Sequence, residues 1–188
     1  MPGKLILILS CMFSGKTETL ITYARRYVLA KKKIVLIKYA NDTRYDQDNI
    51  CSHNRTQLKA TYSCNLLAPL LENKDMEEAD VILIDEGQFF KDAPFVCDFL
   101  ANQGKVVIVA ALNGTFKREE FPIVSDLLPL AEEVIHLKAV CSICGEDAHF
   151  TKRIVSGTSL ELIGGAESYQ PRCRSCFDKS KNENLNNP

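Results

Sequence analysis

Gly15-Lys16-Thr17 is the first place in this chain where residue types and spacing add up to chemistry. It follows the apolar run Leu5-Ile6-Leu7-Ile8-Leu9 and precedes a segment with helical periodicity, the layout of a strand, a tight loop and a helix. In a loop of that kind, here Ser10, Cys11, Met12, Phe13, Ser14 and Gly15, backbone N–H groups wrap phosphates. Lys16 would reach the terminal phosphates and the Thr17 hydroxyl would ligate Mg²⁺. The helix N-terminus behind the loop adds a field that favours anions. The leading glycine of G-x-x-x-x-G-K-[ST] is replaced by Ser10, so the bland alternative is a strand-turn-helix with a surface lysine.

A second strand-like run, Val81-Ile82-Leu83-Ile84, ends in Asp85-Glu86-Gly87-Gln88. An acid at that position is the usual partner of a phosphate loop: Asp85 would hold Mg²⁺ opposite Thr17. Strand alternation would turn the Glu86 side chain away from Asp85, toward an incoming nucleophile whose proton it could accept. The bland alternative is a pair of acids ending a strand in solvent.

Cys141-x-x-Cys144 and Cys173-x-x-Cys176 are two knuckles separated by residues 145–172. Four thiolates in two such pairs suit a closed tetrahedral Zn²⁺ site with no open position for catalysis. A redox dithiol and an iron–sulfur cluster compete with that reading. His149 lies between the knuckles, but four cysteines already complete the shell, which leaves it a structural residue. The metal would clamp the base of the long excursion 146–172. Cys11, Cys51, Cys64 and Cys97 read as small hydrophobes.

These groups need a scaffold. Leu20, Ile21, Ala24, Tyr27 and Val28 share one helical face, and Ile34–Ile37 and Val106–Val109 are continuous β-branched runs typical of strands covered on both sides. A short extended piece is expected within Gln57–Cys64, a short helix within Leu66–Glu72 and a longer helix over Ala93–Asn102. Strands alternating with helices imply an α/β fold, a doubly wound parallel sheet whose ligands bind at the C-terminal strand ends. The phosphate loop, Asn41–Asn49, Asp85–Gln88 and Ala111–Phe121 all fall at that edge. Composition changes near Val140. We expect a nucleotide-binding domain over residues 1–140, a small four-cysteine zinc-binding domain over 141–177 and a disordered polar tail over 178–188.

With 46% hydrophobic residues the chain can bury a core without disulfide staples, and a formal net charge of −1 gives no global attraction to nucleic acid or anionic membrane. Lys31-Lys32-Lys33 follows a helix, where cations offset the carbonyl end of its dipole. The run Leu5–Leu9 is too short for a signal or a membrane span.

Together the residues resemble the small cytosolic thymidine kinases, a zinc-containing class found in cells and in some large DNA viruses. The resemblance is carried by Ser14-Gly15-Lys16-Thr17, Ile37–Ala40 with Asp42-Thr43-Arg44-Tyr45, Asp85–Phe90, Val109–Phe116, Thr151-Lys152-Arg153, Ile163-Gly164-Gly165-Ala166 and the four cysteines, in order from Leu5 to about Phe177. It implies transfer of the ATP γ-phosphoryl to the 5′-hydroxyl of thymidine. Lys16 and Thr17 match phosphate and Mg²⁺ contacts, Asp85 the metal-associated acid, Glu86 the general base, and Gln88 falls within the same nucleotide-binding motif. Asp42, Thr43 and Arg44 match the phosphate and metal surroundings, with Arg44 as charge stabiliser. Phe89 and Phe116 match residues packed on the nucleoside, and Met12, Leu112 and Tyr169 positions around the thymine methyl. The excursion would close over the base as a lasso, reading it through backbone groups of Leu160, Glu161, Leu162, Ile163 and Gly164, with a part for Thr151.

The resemblance further implies cytoplasmic localisation, a homotetramer, feedback by thymidine triphosphate, and neither nucleic-acid nor membrane partners. The chain departs from the family at Ser10-Cys11, usually Gly-Pro, and at Asn113, usually aspartate. Two other readings stand beside it. One is a zinc-containing P-loop ATPase acting on nucleic acid, against which the chain is short and offers no evident aromatic–basic groove. The other, a zinc-ribbon adaptor, leaves Lys16, Thr17, Asp85 and Glu86 without a role.

Overall fold

The apolar runs become neighbouring strands of one sheet in a computed structural model that describes residues 2–42, 49–51, 57–157 and 164–179. In chain order the elements are β1 (Lys4–Ser10), α1 (Lys16–Leu29), β2 (Ile34–Tyr39), β3 (Asn49–Cys51), β4 (Gln57–Lys59), β5 (Tyr62–Cys64), α2 (Lys74–Glu78), β6 (Val81–Ile84), α3 (Ala93–Asn102), β7 (Val106–Leu112), α4 (Pro122–Leu127) and β8 (Glu133–His136). Then come β9 (Ala139–Val140), β10 (Asp147–Ala148), β11 (Phe150–Arg153), β12 (Tyr169–Arg172) and α5 (Arg174–Lys179). The main sheet has the order β5-β2-β6-β7-β1-β8, and every pairing in it is parallel. As the alternation of strands and helices implies, the fold is α/β with a central parallel sheet.

Alternation along each strand divides the core in two. Leu5, Leu7, Leu9, Ile82, Ile84, Val107 and Val109 face Phe90, Val96, Cys97, Leu100, Val124 and Leu127, which belong to α3, α4 and the turn before α3. Ile6, Ile8, Leu36, Leu83, Ile108 and Ala110 face Leu20, Ile21 and Ala24 of α1. Helices therefore cover both faces, and each fully buried aliphatic side chain contributes about 1.5–3 kcal/mol. The expected short extended piece is β4 with β5, and the expected short helix is a 3₁₀ turn at Ala68–Glu72. Among the described residues no helix is long and apolar enough to cross a membrane.

The C-terminal strands form two antiparallel pairs, β9 with β10 and β11 with β12. They dock directly on the phosphate loop. Ser10, fully buried, donates from Oγ to the carbonyl of Leu137 at 2.6 Å. Cys11 packs among Ala139, Cys141, Ala148, Cys173 and Cys176, and its thiol donates to the Ala148 carbonyl at 3.5 Å. The Met12 backbone N–H donates to Thr151 Oγ1 at 3.0 Å. Asn113 ties the same edge together: its Nδ2 donates to the His149 carbonyl and lies 3.4 Å from His136 Nε2, and the two imidazoles stack.

A cation–aromatic stack fastens the loop after β7 to this region. Arg118 lies 4.6 Å from the Phe177 ring centroid and 5.6 Å from that of Phe150, Lys152 lies 4.6 Å from Phe177, and Arg174 lies 5.1 Å from Phe150. Folding assembles this aromatic–basic cluster from three separated segments, which is why the sequence offers no evident groove. Its ring faces are already covered by the protein's own cations, so it serves as a fastening rather than a platform on which bases stack. The helix α5 runs to Lys179 and Asp178 pairs with Arg118 at 3.5 Å, so the segment read as a tail begins as structure.

Two substitutions test these junctions. Gly87, just beyond β6, has no room for a methyl group: a Cβ there would lie 2.2 Å from Val109 Cγ1. Gly87→Ala is expected to lower the urea unfolding free energy by about 1–3 kcal/mol, with partial recovery in a Val109→Ala background. Thr151→Val leaves the buried Met12 N–H without its acceptor and should cost about 1–3 kcal/mol, whereas Thr151→Ser keeps the bond. Thermal unfolding in which Val and Ser behave alike would refute that coupling.

Candidate active site

The loop from Ser10 to Thr17 turns on two left-handed residues, Phe13 at φ 66° and Gly15 at φ 85°. Gly15 caps α1, which brings Lys16 and Thr17 into the helix's first turn, where unpaired N–H groups collect. The Lys16 ammonium donates to the Cys11 carbonyl at 2.7 Å, and Ser14 Oγ donates to the same oxygen at 3.0 Å. The lysine thus lies folded across the loop, within reach of anything the loop cradles.

Asp85 comes to this loop from two strands away, since β7 separates β6 from β1. Its backbone N–H donates to the Ile37 carbonyl of β2 at 3.0 Å, one step past the end of β6. Thr17 Oγ1 lies 3.2 and 3.4 Å from the two carboxylate oxygens. A hydroxyl and a 7%-exposed carboxylate meeting beside a helix N-terminus are hard oxygen donors of the kind Mg²⁺ takes. These residues fit the ion.

Glu86 is placed differently from the strand-alternation argument. It lies outside β6 in the left-handed region, φ 55° and ψ 41°, and opens a 3₁₀ turn over Gly87–Phe89. For a non-glycine residue that conformation costs about 1–2 kcal/mol, so the surroundings must enforce it. Gln88 is 4% exposed, and its side chain points to Glu86 rather than to the phosphate loop. Its Nε2 donates to Glu86 Oε2 at 2.5 Å, and its Oε1 accepts from the Leu112 backbone N–H at 3.0 Å.

The candidate aromatic residues have separate partners. Phe89 stacks on Tyr39 at 5.0 Å between centroids and meets Phe121 edge-on at 6.3 Å. Phe116 is faced by the Arg153 guanidinium at 3.8 Å from its centroid, and Arg153 Nη2 also donates to the Tyr169 hydroxyl at 2.7 Å. Arg153, itself 8% exposed, therefore joins Phe116 to Tyr169, which are far apart in sequence. Met12, Thr151 and Tyr169 are buried and Leu112 is half-buried. Gly164 packs so closely on Ser168 that a Cβ would lie 2.5 Å from its Oγ. Asp42 follows β2, with its N–H donating to the Tyr39 carbonyl at 3.1 Å. Thr43, Arg44, Leu160, Glu161, Leu162 and Ile163 lie outside the described residues, as does most of the proposed tail.

Phe121, the contacts of Arg153 and the Asn113–His136–His149 contact are features that sequence reasoning missed. Each acquires its neighbours only in the folded chain.

The four cysteines converge. The Sγ atoms of Cys141, Cys144, Cys173 and Cys176 all lie within 4.8 Å of one another, with Cys144 and Cys173 at 3.6 Å. Tetrahedral Zn²⁺ with bonds of about 2.3 Å places its sulfurs about 3.8 Å apart, so the donor set fits. Gly145, at φ 78°, closes the first knuckle by donating from its N–H to the Cys141 carbonyl at 3.0 Å. Burial opposes ionisation of Cys141, but backbone N–H donors from Cys173, Ile143 and Cys144 hold it down at about 6. Cys176 is pushed up to about 12, first by hydrogen bonding with the Cys173 thiol and then by burial. Cys173 is also lowered, first by its hydrogen bond with Ser175, and thiols that give up protons readily suit a cation that displaces the rest. Cys11 differs: burial raises its pKa, as for an inert packing residue.

The sequence matches the thymidine kinase family model over residues 3–177. Thymidine kinase 1 of Dictyostelium discoideum is 45% identical over 185 residues, covering 96% of this chain and 80% of the relative. The thymidine kinase of raccoon poxvirus is 45% identical over 175 residues, and that of vaccinia virus (strain Western Reserve) 44% over 178, each covering 93% of this chain and 97% of the relative. Similarity of that extent leaves no ground for preferring a nucleic-acid ATPase. With the phosphate loop, its acid partner and the four-cysteine cluster in one parallel α/β fold, the chain belongs to the thymidine kinase family.

Proposed function

We propose that this chain transfers the γ-phosphoryl group of ATP to the 5′-hydroxyl of thymidine, giving thymidine monophosphate and ADP. The observation that carries the reading is the approach of Thr17 Oγ1 to Asp85 Oδ2 at 3.2 Å, one residue from Glu86. The loop N–H groups and Lys16 bind the phosphates, Lys16 leaving the Cys11 carbonyl to do so. Thr17 and Asp85 would hold Mg²⁺, which supplies charge neutralisation on the phosphates. Glu86 takes the 5′-hydroxyl proton as that oxygen bonds to the γ-phosphorus and the bond to the β-phosphate bridge breaks. Arg44 stabilises the developing charge. Most of the rate enhancement in such a reaction comes from positioning and electrostatics.

The thymine ring lies against Phe89 and Phe116, with Met12, Leu112 and Tyr169 around its methyl group. Backbone groups of Leu160–Gly164 read its edge, with a part for Thr151. Cys141, Cys144, Cys173 and Cys176 would hold a structural Zn²⁺, which would fix the small domain from which that lasso departs. We extend the reading to a homotetramer in the cytoplasm. Thymidine triphosphate, which combines thymine with a polyphosphate, is its feedback ligand.

Turnover with ATP, Mg²⁺ and a panel of nucleosides tests the proposal. Phosphorylation of thymidine is expected; ATP hydrolysis stimulated by single-stranded DNA, with no nucleoside phosphorylated, would refute it. Glu86→Gln should bind ATP normally and lose about 10²–10⁴-fold in kcat, and unchanged turnover would remove Glu86 from the role of base. Mass spectrometry of the native protein should find one zinc per chain. Because Cys11 packs against the cysteine cluster and Met12 is bonded to the neighbouring β11, chelation should raise KM for ATP as well as for thymidine, whereas an effect on thymidine alone would confine the metal's influence to the lasso.

A further inference from the structure

We infer that Gln88 is a positioning residue for the base Glu86 rather than a contact to ATP or its metal, an inference that rests on the phosphoryl-transfer reading and deepens its acid–base half. Both ends of one buried amide are committed. Nε2 donates to Glu86 Oε2 at 2.5 Å, and Oε1 accepts from the Leu112 N–H at 3.0 Å. Leu112 is the last residue of β7, in register with Ser10 of β1, where the phosphate loop begins. A planar amide keeps its donor and acceptor at a fixed separation. Gln88 therefore references the Glu86 carboxylate to the strand pair from which the phosphate loop leaves, which is what aligning a base with the phosphoryl group demands.

Two further observations point the same way. Glu86 occupies a left-handed conformation, φ 55°, which needs outside support, and the bond from Gln88 supplies some at i, i+2 across the 3₁₀ turn. Gln88 is only 4% exposed, and the nitrogen and the oxygen of its amide each already have a protein partner. Donation to the ionised carboxylate also favours the form that accepts a proton.

The test compares Gln88→Glu, Gln88→Leu and Glu86→Gln. Gln88→Glu retains an acceptor for the Leu112 N–H and nearly the same shape, but sets a carboxylate against Glu86 in place of the donor. For Gln88→Glu we expect kcat to fall about 10- to 100-fold, KM for ATP to stay within about twofold, and the acid limb of the kcat–pH profile to move to higher pH. Asp85, the neighbouring acid, is unchanged in each variant. Gln88→Leu should show the same kcat loss, and its unfolding midpoint separates that loss from misfolding. In the Glu86→Gln background, Gln88→Glu should have almost no further effect on kcat, because a residue acting through the base has nothing left to position. Wild-type kcat and pH profile in Gln88→Glu would overturn the inference, as would a raised KM for ATP with kcat unchanged. Unimpaired turnover in Glu86→Gln would instead overturn the assignment of the base itself.

Discussion

A phosphate loop has to present several backbone N–H groups to an anion while every other polar group around it is satisfied. Here that constraint is met by sharing the loop between two supports. Gly15 and the first turn of α1 hold its second half, while the link between β8 and β9 holds Ser10 and the C-terminal strand pairs hold Cys11 and Met12. Of the loop's donors, the Met12 N–H is paired with Thr151 Oγ1. The two supports meet at one loop, so the geometry of one is transmitted to the other without any moving element between them.

That arrangement accounts for the pair Ser10-Cys11, which departs from the Gly-Pro of the resembling family. Ser10 is not in a left-handed conformation, so glycine's freedom is not required there. Its hydroxyl reaches the Leu137 carbonyl, a bond glycine cannot make, and the small apolar Cys11 fills a site lined by Ala139, Ala148 and the cysteine cluster. Asn113 has a similar explanation. Its amide lies between the His136 ring and the His149 carbonyl, and an aspartate could not donate to that carbonyl.

Much of the fold was legible in the sequence because its central strands are buried on both faces. β1, β2, β6 and β7 are continuous apolar runs, and their parallel order follows from the helices between them. β8 was not legible: Glu133-Val134-Ile135-His136 is a mixed edge strand with Val134 46% exposed, and α4 spans only six residues, beginning with Pro122. The strands β9–β12 are two to four residues long and carry no period. Within the site, motif spacing located Lys16, Thr17, Asp85 and the four cysteines. It did not reveal the left-handed backbone at Glu86, because alternation applies only inside a strand and Glu86 lies two residues past the end of β6. It gave no sign that Arg153 joins Phe116 to Tyr169, since that contact exists only once three separate segments of the chain are folded together.

The left-handed Glu86 also explains why Gly87 follows it. The turn from β6 toward α3 passes so close to β7 that a methyl at position 87 would strike Val109, and the backbone must reverse within one 3₁₀ turn. Only a residue without Cβ permits that approach, and only the approach lets Gln88 reach the Leu112 N–H. Strain at Glu86, close packing at Gly87 and the amide of Gln88 are thus parts of a single construction. Three consecutive residues exchange local backbone cost for a carboxylate held at a defined distance from the phosphate loop.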